Sequence, residues 1–256
     1  AAASFQDPQG FTWDLGGHVL FSHYEAFDRR IDAACGVDAW VCHRRESWVW
    51  YRDRFVPYPF QYNLHRLPGG ESAACLEGIE AAAARRDGAP PAHFRELLLR
   101  TFGEALCERF MFPYNLKVWG WPLEELACDW IGERVAIPDP ARIRAGIAAR
   151  RDDVDWGPNN TFRFPLRGGT GAVWQAVAAR LPAARMLFDA DAATLDTAAR
   201  RATLRDGRPI AFSSCISTVP LDRLGAMTGD PELLPAMPLK GSATHVVGIG
   251  LSGSPP

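Results

Sequence analysis

Three short stretches of this chain group residues whose types could do chemistry together. In Gly16-Gly17-His18, two residues without a Cβ let the backbone come close to a flat ligand, and an imidazole stands beside that approach. Residues 57–64, Pro57-Tyr58-Pro59-Phe60-Gln61-Tyr62-Asn63-Leu64, set the amides of Gln61 and Asn63 between aromatic rings in a loop stiffened by proline. Residues 112–120 carry a phenol at Tyr114, an amide at Asn115, an ammonium at Lys117 and an indole at Trp119. Each group also has a plain packing explanation, as core rings, a satisfied buried amide or a strand histidine. Together they describe a ligand cleft with apolar walls and a few polar groups.

Motifs of other chemistries fail on inspection. Gly169-Thr170-Gly171-Ala172-Val173-Trp174 begins like a dinucleotide fingerprint but has Trp174 in place of the third glycine and no apolar strand before it. Its loop opens a helix, so its amides either face an anion or simply start that helix. Gly250-Leu251-Ser252-Gly253-Ser254 is not a nucleophile elbow, and no HExxH occurs. Cys35, Cys42 and His43 do not have zinc-ligand spacing and read as buried free thiols with a neighbouring histidine, so no metal site is expected. Arg163 and Arg167, beside glycines, either bind phosphate or belong to the ordinary charged surface.

Composition narrows the function classes. Of 256 residues 47% are hydrophobic and 23% charged, which excludes a disordered or fibrous protein. Lys plus Arg number 28 and Asp plus Glu 30, a net charge of −2, so there is no electrostatic case for nucleic acid or an anionic membrane as partner. Apolar runs fall short of a membrane span, and no secretory leader is recognisable. Six scattered cysteines without a CxxC pair fit reduced thiols in a cytoplasm.

The elements that must position these groups follow from periodicity. A strand-like segment is expected over 15–21, a helix over 25–34, and an aromatic hairpin from 47–51 through the turn Arg52-Asp53-Arg54 to 55–58. Helices are expected over 71–86, over 93–110 where Phe94, Leu97, Leu98, Phe102, Ala105 and Leu106 form one stripe, after Pro122, over 140–151 and over 172–181. Strands are expected at 161–165, 186–188, 193–195 and 202–204, with buried strands at 210–218 and 245–251. The fold class is thus mixed α/β (α+β), with a helical middle between β-rich ends.

At this point a resemblance becomes specific. Trp13-Asp14-Leu15-Gly16-Gly17-His18-Val19-Leu20-Phe21, the 57–64 loop, Tyr114-Asn115-Leu116-Lys117-Val118-Trp119-Gly120 and Glu133-Arg134-Val135-Ala136-Ile137-Pro138 occur in order. Residues 162–174 and Cys215-Ile216-Ser217-Thr218-Val219-Pro220-Leu221 follow. The series, over 13–251, resembles the UDP-galactopyranose mutase branch of the flavin amine oxidase/protoporphyrinogen oxidase superfamily.

That resemblance implies an incomplete Rossmann-like FAD-binding domain with an inserted helical substrate-binding region. Residues 1–68 would be part of the FAD domain with its hairpin, 69–160 the mainly helical substrate region, and 161–256 the return to the β-rich FAD domain. FAD is the implied cofactor. By match to the family, His18 would be catalytic, and Gly16, Gly17, His18, Thr218 and Pro220 would bind the cofactor. Asn63, Tyr114, Lys117, Trp119 and Arg134 would bind a substrate, a small molecule of the nucleotide-sugar class. The family's GxGxxG turn is not in this sequence, so the chain reads as the middle of a longer flavoprotein that binds FAD poorly by itself. Two departures stand out: Phe21 replaces a second histidine, and Ile137-Pro138-Asp139 replaces a second arginine after Arg134. The implied chemistry is either mutase-type, with reduced flavin as covalent catalyst and no net redox change, or hydride transfer from an amine or similar carbon to oxidised flavin. A non-catalytic fragment of such a protein is the competing class, and an oligomer of identical chains is compatible with either.

Overall fold

The helical pair at the centre of the protein follows from the spacing of small and apolar residues. Cys75, Ile79 and Ala82 recur every three or four positions in residues 71–84 and become the buried stripe of one helix. Phe94, Leu98, Phe102 and Leu106 do the same in its partner. The computed structural model describes residues 3–16, 18–85, 88–131, 135–155, 157, 160–232, 239 and 241–253. Two units are separated by their contacts, Ala1–Trp174 with Val246–Pro256, and Gln175–His245.

In chain order the first unit contains β1 (Ser4–Gln6), β2 (Thr12–Asp14), α1 (Glu25–Cys35), β3 (Trp40–Arg44), β4 (Trp48–Tyr51) and β5 (Arg54–Pro57). There follow α2 (Glu71–Ala84), α3 (Phe94–Leu106), a π turn at Cys107–Met111, α4 (Phe112–Trp119), α5 (Pro140–Ala149) and β6 (Thr161–Pro165). Helix α6 (Gly169–Ala178) crosses into the second unit, which holds β7 (Ala192–Asp196), β8 (Arg201–Leu204), β9 (Pro209–Ala211) and α7 (Leu221–Thr228).

All pairings among the described strands are antiparallel: β1 with β2, β3 with β6, β4 with β5, and the meander β7-β8-β9. The β4–β5 hairpin turns on Arg52 and Asp53, whose φ values of 44° and 62° are those a tight two-residue turn requires. Its period-2 pattern exposes Trp48, Trp50 and Phe55 and sends Val56 into the core with the rings and aliphatic chains of α3. In the second unit α7 packs on β7, and Leu195 and Leu204 are its buried aliphatic residues.

Local chemistry explains the helix ends. His93 caps α3, its Nδ1 accepting the Glu96 N–H at 3.2 Å, and the Glu96 carboxylate reaches back to the Ala92 N–H at 2.7 Å. Asp139 caps α5 by accepting the N–H groups of Ala141 and Arg142, with Pro140 just inside. Gly120, at φ 70°, ends α4 and donates to the Leu116 carbonyl at 2.9 Å.

The structure corrects several expected elements. The described residues of 15–21 form no strand beyond a single bridge of Leu20 to Arg163, and Gly16 turns the chain at φ 101°. After Pro122 there is one 3₁₀ turn, Leu123–Glu125, in place of a helix. The chain is drawn into extended geometry at Leu126, whose carbonyl accepts the Phe94 N–H at 2.8 Å. The helix expected to reach residue 110 passes into the π turn, while Arg86 lies outside the described residues. Residues 186–188 are not a strand, and of 210–218 only the first two positions belong to one, both exposed. Residues 245–251 are exposed and unladdered: Gly248 and Gly250 lie against the rings of Trp13 and Phe11, where a Cβ would not fit, while Val247 and Ile249 are 84% and 77% exposed. Among the described residues no helix is long and apolar enough to cross a membrane.

Candidate functional site

Helix α4 and the π turn before it build one wall of a pocket in the first unit. Met111, Tyr114, Asn115, Val118 and Trp119 repeat at three- and four-residue intervals and so share one face. Tyr58 and Gln61 come from the proline loop, Phe94, Leu98 and Phe102 from α3, and Trp130, Val135 and Ala136 from the chain beyond α4. The cavity between them is about 100 Å³.

The rings are ordered. Phe60 stacks on Phe110 with centroids 4.1 Å apart and planes 12° apart, and Phe110 stacks on Tyr114 at 4.9 Å and 23°. This column runs from the fully buried Phe60 out to Tyr114, which is 38% exposed. Trp119 meets Trp130 edge-on at 4.6 Å. Two of the polar wall groups are tied to backbone: Gln61 donates to the Ala136 carbonyl at 3.1 Å and Asn115 to the Met111 carbonyl at 2.8 Å. Burial pushes the Tyr58 and Tyr114 phenols above the ordinary tyrosine value, so both keep their O–H donors at neutral pH.

The structure distributes the expected site residues unevenly. Tyr114 and Trp119 line the pocket, whereas Lys117 is exposed and turned off the lining face, in the last turn of α4 where a cation suits the helix dipole. Asn63 is 0% exposed and is not among the residues that line this pocket. Its amide nitrogen shares its two hydrogens among the carbonyls of Pro57, Pro59 and Asp153, and its oxygen accepts the Asp153 N–H, so both ends of the amide are engaged by backbone. His18 is half-buried with its ring folded over Gly16, where a Cβ would stand 3.2 Å from the imidazole Cε1, and its buried Nδ1 has no hydrogen-bond partner among the described residues. Gly17 and Arg134 lie outside the described residues. Thr218 and Pro220 belong to the second unit, both exposed, with Pro220 immediately preceding α7.

The glycine loop before α6 resolves as a helix start with its donors occupied. Asp14 accepts the Thr170 N–H at 3.0 Å and the Ser4 hydroxyl accepts the Gly171 N–H at 2.7 Å, while Ser4 itself donates to Asp14. A carboxylate already holds the place an external anion would take. Arg163 is likewise engaged, by Asp28 at 2.8 Å and Asp32 at 2.5 Å. Of the cysteines read as buried, Cys42 is exposed and Cys35 half-buried. Cys75 and Cys107 are the buried pair, their thiols pushed up to about 11 and about 12 by desolvation and hence unreactive. No group of three or more His, Cys, Asp or Glu among the described residues could hold a metal ion.

Tyr58, Phe110 and Trp130 also line the pocket, beyond the residues that the motifs assign to it. The interval from Phe110 to Tyr114, one helical turn, was the available signal for the ring column.

A family model described as flavin containing amine oxidoreductase matches residues 2–250, and the chain belongs to that family. It is similar to a solved structure titled reduced UDP-galactopyranose mutase, with 47% sequence identity and a TM-score of 0.83 over 90% of this chain. The chain covers 49% of that protein, about half its length. The mixed helix-and-sheet architecture is therefore that of the flavin amine oxidase and mutase fold, the family and branch that the ordered motifs resemble.

Whether the residues present fit FAD divides by part of the cofactor. The unpartnered buried Nδ1 of His18, beside glycine, suits the edge of a flat ring system. The pyrophosphate has no comparable cradle among the described residues, because the amides opening α6 are taken by Asp14 and Ser4. The fit is to the ring end only.

Proposed function

We propose that this chain supplies the substrate-binding region and flanking strands of a flavin-dependent enzyme acting on a nucleotide-sugar. The observation that carries this is the Phe60–Phe110–Tyr114 column, which ends in a partly exposed ring at the pocket mouth. A planar base stacking there extends the column, and Trp119 and Trp130 close the side. FAD is the cofactor of this reading and supplies the chemistry at the sugar when bound. His18, with Gly16 and Gly17, would face its ring, Thr218 and Pro220 would contribute from the segment before α7, and Arg134 would meet the substrate's phosphates. Residues 1–68 and 161–256 would then belong to the FAD domain and 69–160 to the substrate region, with much of FAD affinity supplied by sequence outside this chain. The reading includes a cytoplasmic location, in keeping with six free cysteines, and admits an oligomer of identical chains.

Titration of the chain with uridine, followed by tryptophan fluorescence, tests the pocket. Saturable quenching that Tyr114→Ala weakens at least about tenfold supports the reading, on the scale of one lost stacking contact. Absence of any saturable change overturns it, and saturable binding of a hydrophobic amine in its place transfers the site to the oxidoreductase reading.

A further inference from the structure

The two inner rings of the aromatic column come from different elements, and one carboxylate outside the pocket reaches toward both. Phe60 lies on the proline loop, and Phe110 lies in the π turn, where the Phe112 N–H closes on the Cys107 carbonyl five residues back. Behind Phe60 stands Tyr51 of β4, edge-on with centroids 5.3 Å apart, and its hydroxyl donates to Glu71 Oε2 at 2.8 Å. Next to Phe110 in the chain is Arg109, whose Nε lies 4.0 Å from the same Oε2 while its Nη1 donates to the Ala105 carbonyl at 2.8 Å.

Glu71 opens α2, where the helix dipole suits a carboxylate, and its side chain is only 13% exposed. Burial, and then the bond to Glu71, push the Tyr51 phenol above the ordinary tyrosine value, so it remains a donor at neutral pH. The Arg109 Nε is buried with no hydrogen-bond partner among the described residues, and Glu71 is the counter-charge it faces. Arg52 pairs with the other Glu71 oxygen at 2.5 Å but is 61% exposed, where an ion pair contributes little. A π turn holds one residue more than an α turn, so its shape depends on what surrounds it. Slack at Arg109 moves Phe110, and slack at Tyr51 leaves Phe60 unsupported from behind. The stack of Phe60 on Phe110 therefore depends on two side chains that meet at Glu71.

We infer that Glu71 is a positioning residue of the aromatic pocket: through Tyr51 and Arg109 it holds Phe60 and Phe110 in register, and so sets the column on which a base stacks. None of Tyr51, Glu71 and Arg109 is among the residues that line the pocket. The inference rests on the nucleotide reading of that pocket.

The test measures uridine affinity by tryptophan quenching on protein shown to be folded by circular dichroism. Tyr51→Phe, which keeps the ring against Phe60 and loses the hydroxyl, and Glu71→Ala should each weaken uridine at least about threefold. Glu71→Gln keeps an acceptor for Tyr51 and should recover part of the loss. Because the two residues act through one contact, the double variant should bind within about twofold of Glu71→Ala. If Glu71→Ala does not fold, Tyr51→Phe and Glu71→Gln decide. Hydrogen exchange gives a reading without ligand: Tyr51→Phe should speed exchange across residues 107–112, which Tyr51 reaches through Glu71. Unchanged uridine affinity in the variants, whatever their stability, overturns the positioning role while uridine binding upholds the pocket. Losses that multiply in the double variant overturn the link through Glu71. If uridine does not bind the unsubstituted chain, the nucleotide reading falls and exchange alone decides: faster exchange at 107–112 keeps Glu71 as the link between the two rings, and unchanged exchange removes it.

Discussion

Asn63 donates its side-chain amide to the carbonyl of Asp153 and accepts the N–H of the same residue, each at 2.8 Å, across ninety positions of sequence. This closed pair fixes the proline loop that carries Tyr58 and Gln61 against the segment leading to β6. Removing it strands at least one buried carbonyl and one N–H, each worth about 1–3 kcal/mol when unsatisfied. Asn63→Ala is expected to destabilise the chain by about 3 kcal/mol or more in urea unfolding. Uridine affinity of the folded fraction should not change, because Asn63 lies outside the pocket. A weakened affinity with unaltered stability would return Asn63 to the ligand.

Gly78 and Gly103 give opposite expectations although they face each other. Gly103 has φ 72° inside α3, and a Cβ there would run into the Gly78 backbone, so Gly103→Ala should destabilise by about 3 kcal/mol or more. A Cβ on Gly78 meets its nearest neighbour, the Gly103 Cα, at an ordinary 3.7 Å. Gly78→Ala should therefore be neutral or stabilise by up to about 1 kcal/mol through helix propensity. Thermal melts of the two variants check the pair, and equal losses would contradict the asymmetry.

The Arg66 guanidinium grips Asp152 at 2.8 and 2.5 Å, and this hydrogen bonding is the main reason that its carboxyl titrates below the ordinary aspartate value. A carboxyl lowered in the folded state contributes stability that is whole above its unfolded value, near pH 4, and that fades as pH falls through the lowered folded value. Asp152→Asn should consequently lower stability at pH 7 and flatten its dependence on pH below about 4. Parallel curves for the two proteins through the acid range would remove Asp152 from that dependence.

Legibility in the sequence tracked how local each signal was. The hairpin could be read because its aromatic runs and two-residue turn are contiguous, and α3 because its stripe repeats within one helix. The α4 wall was visible as a cluster, but the angle that turns Lys117 away depends on where the helix presses. Asn63 was ambiguous for a deeper reason: a buried amide satisfied by backbone and an amide awaiting a ligand are the same residue, and only Asp153, far along the chain, distinguishes them. Residues 245–251 carry the apolar run of a buried strand, yet Gly248 and Gly250 seat it on aromatic rings in place of a ladder.

His18 is the remaining assignment with a decisive experiment. Its imidazole folds over Gly16, and its Nδ1 is enclosed without a partner among the described residues, an arrangement that a bound group would complete by donating or accepting one hydrogen bond. Packing alone would instead use the ring as filler against Gly16, and then the enclosed nitrogen is a standing penalty. The two readings differ in what His18→Ala removes. In a flavin-loaded protein containing this chain, loss of a positioned hydrogen-bonding or proton-transfer group should lower turnover by about 10²-fold. The melting temperature should hold or rise slightly, since an unsatisfied buried nitrogen is deleted. His18→Gln, which offers a donor and an acceptor on a side chain of similar reach, should recover part of the rate and some of the flavin's spectral perturbation. A lowered melting temperature with unchanged turnover per folded molecule would make His18 a packing residue and take it out of the reaction.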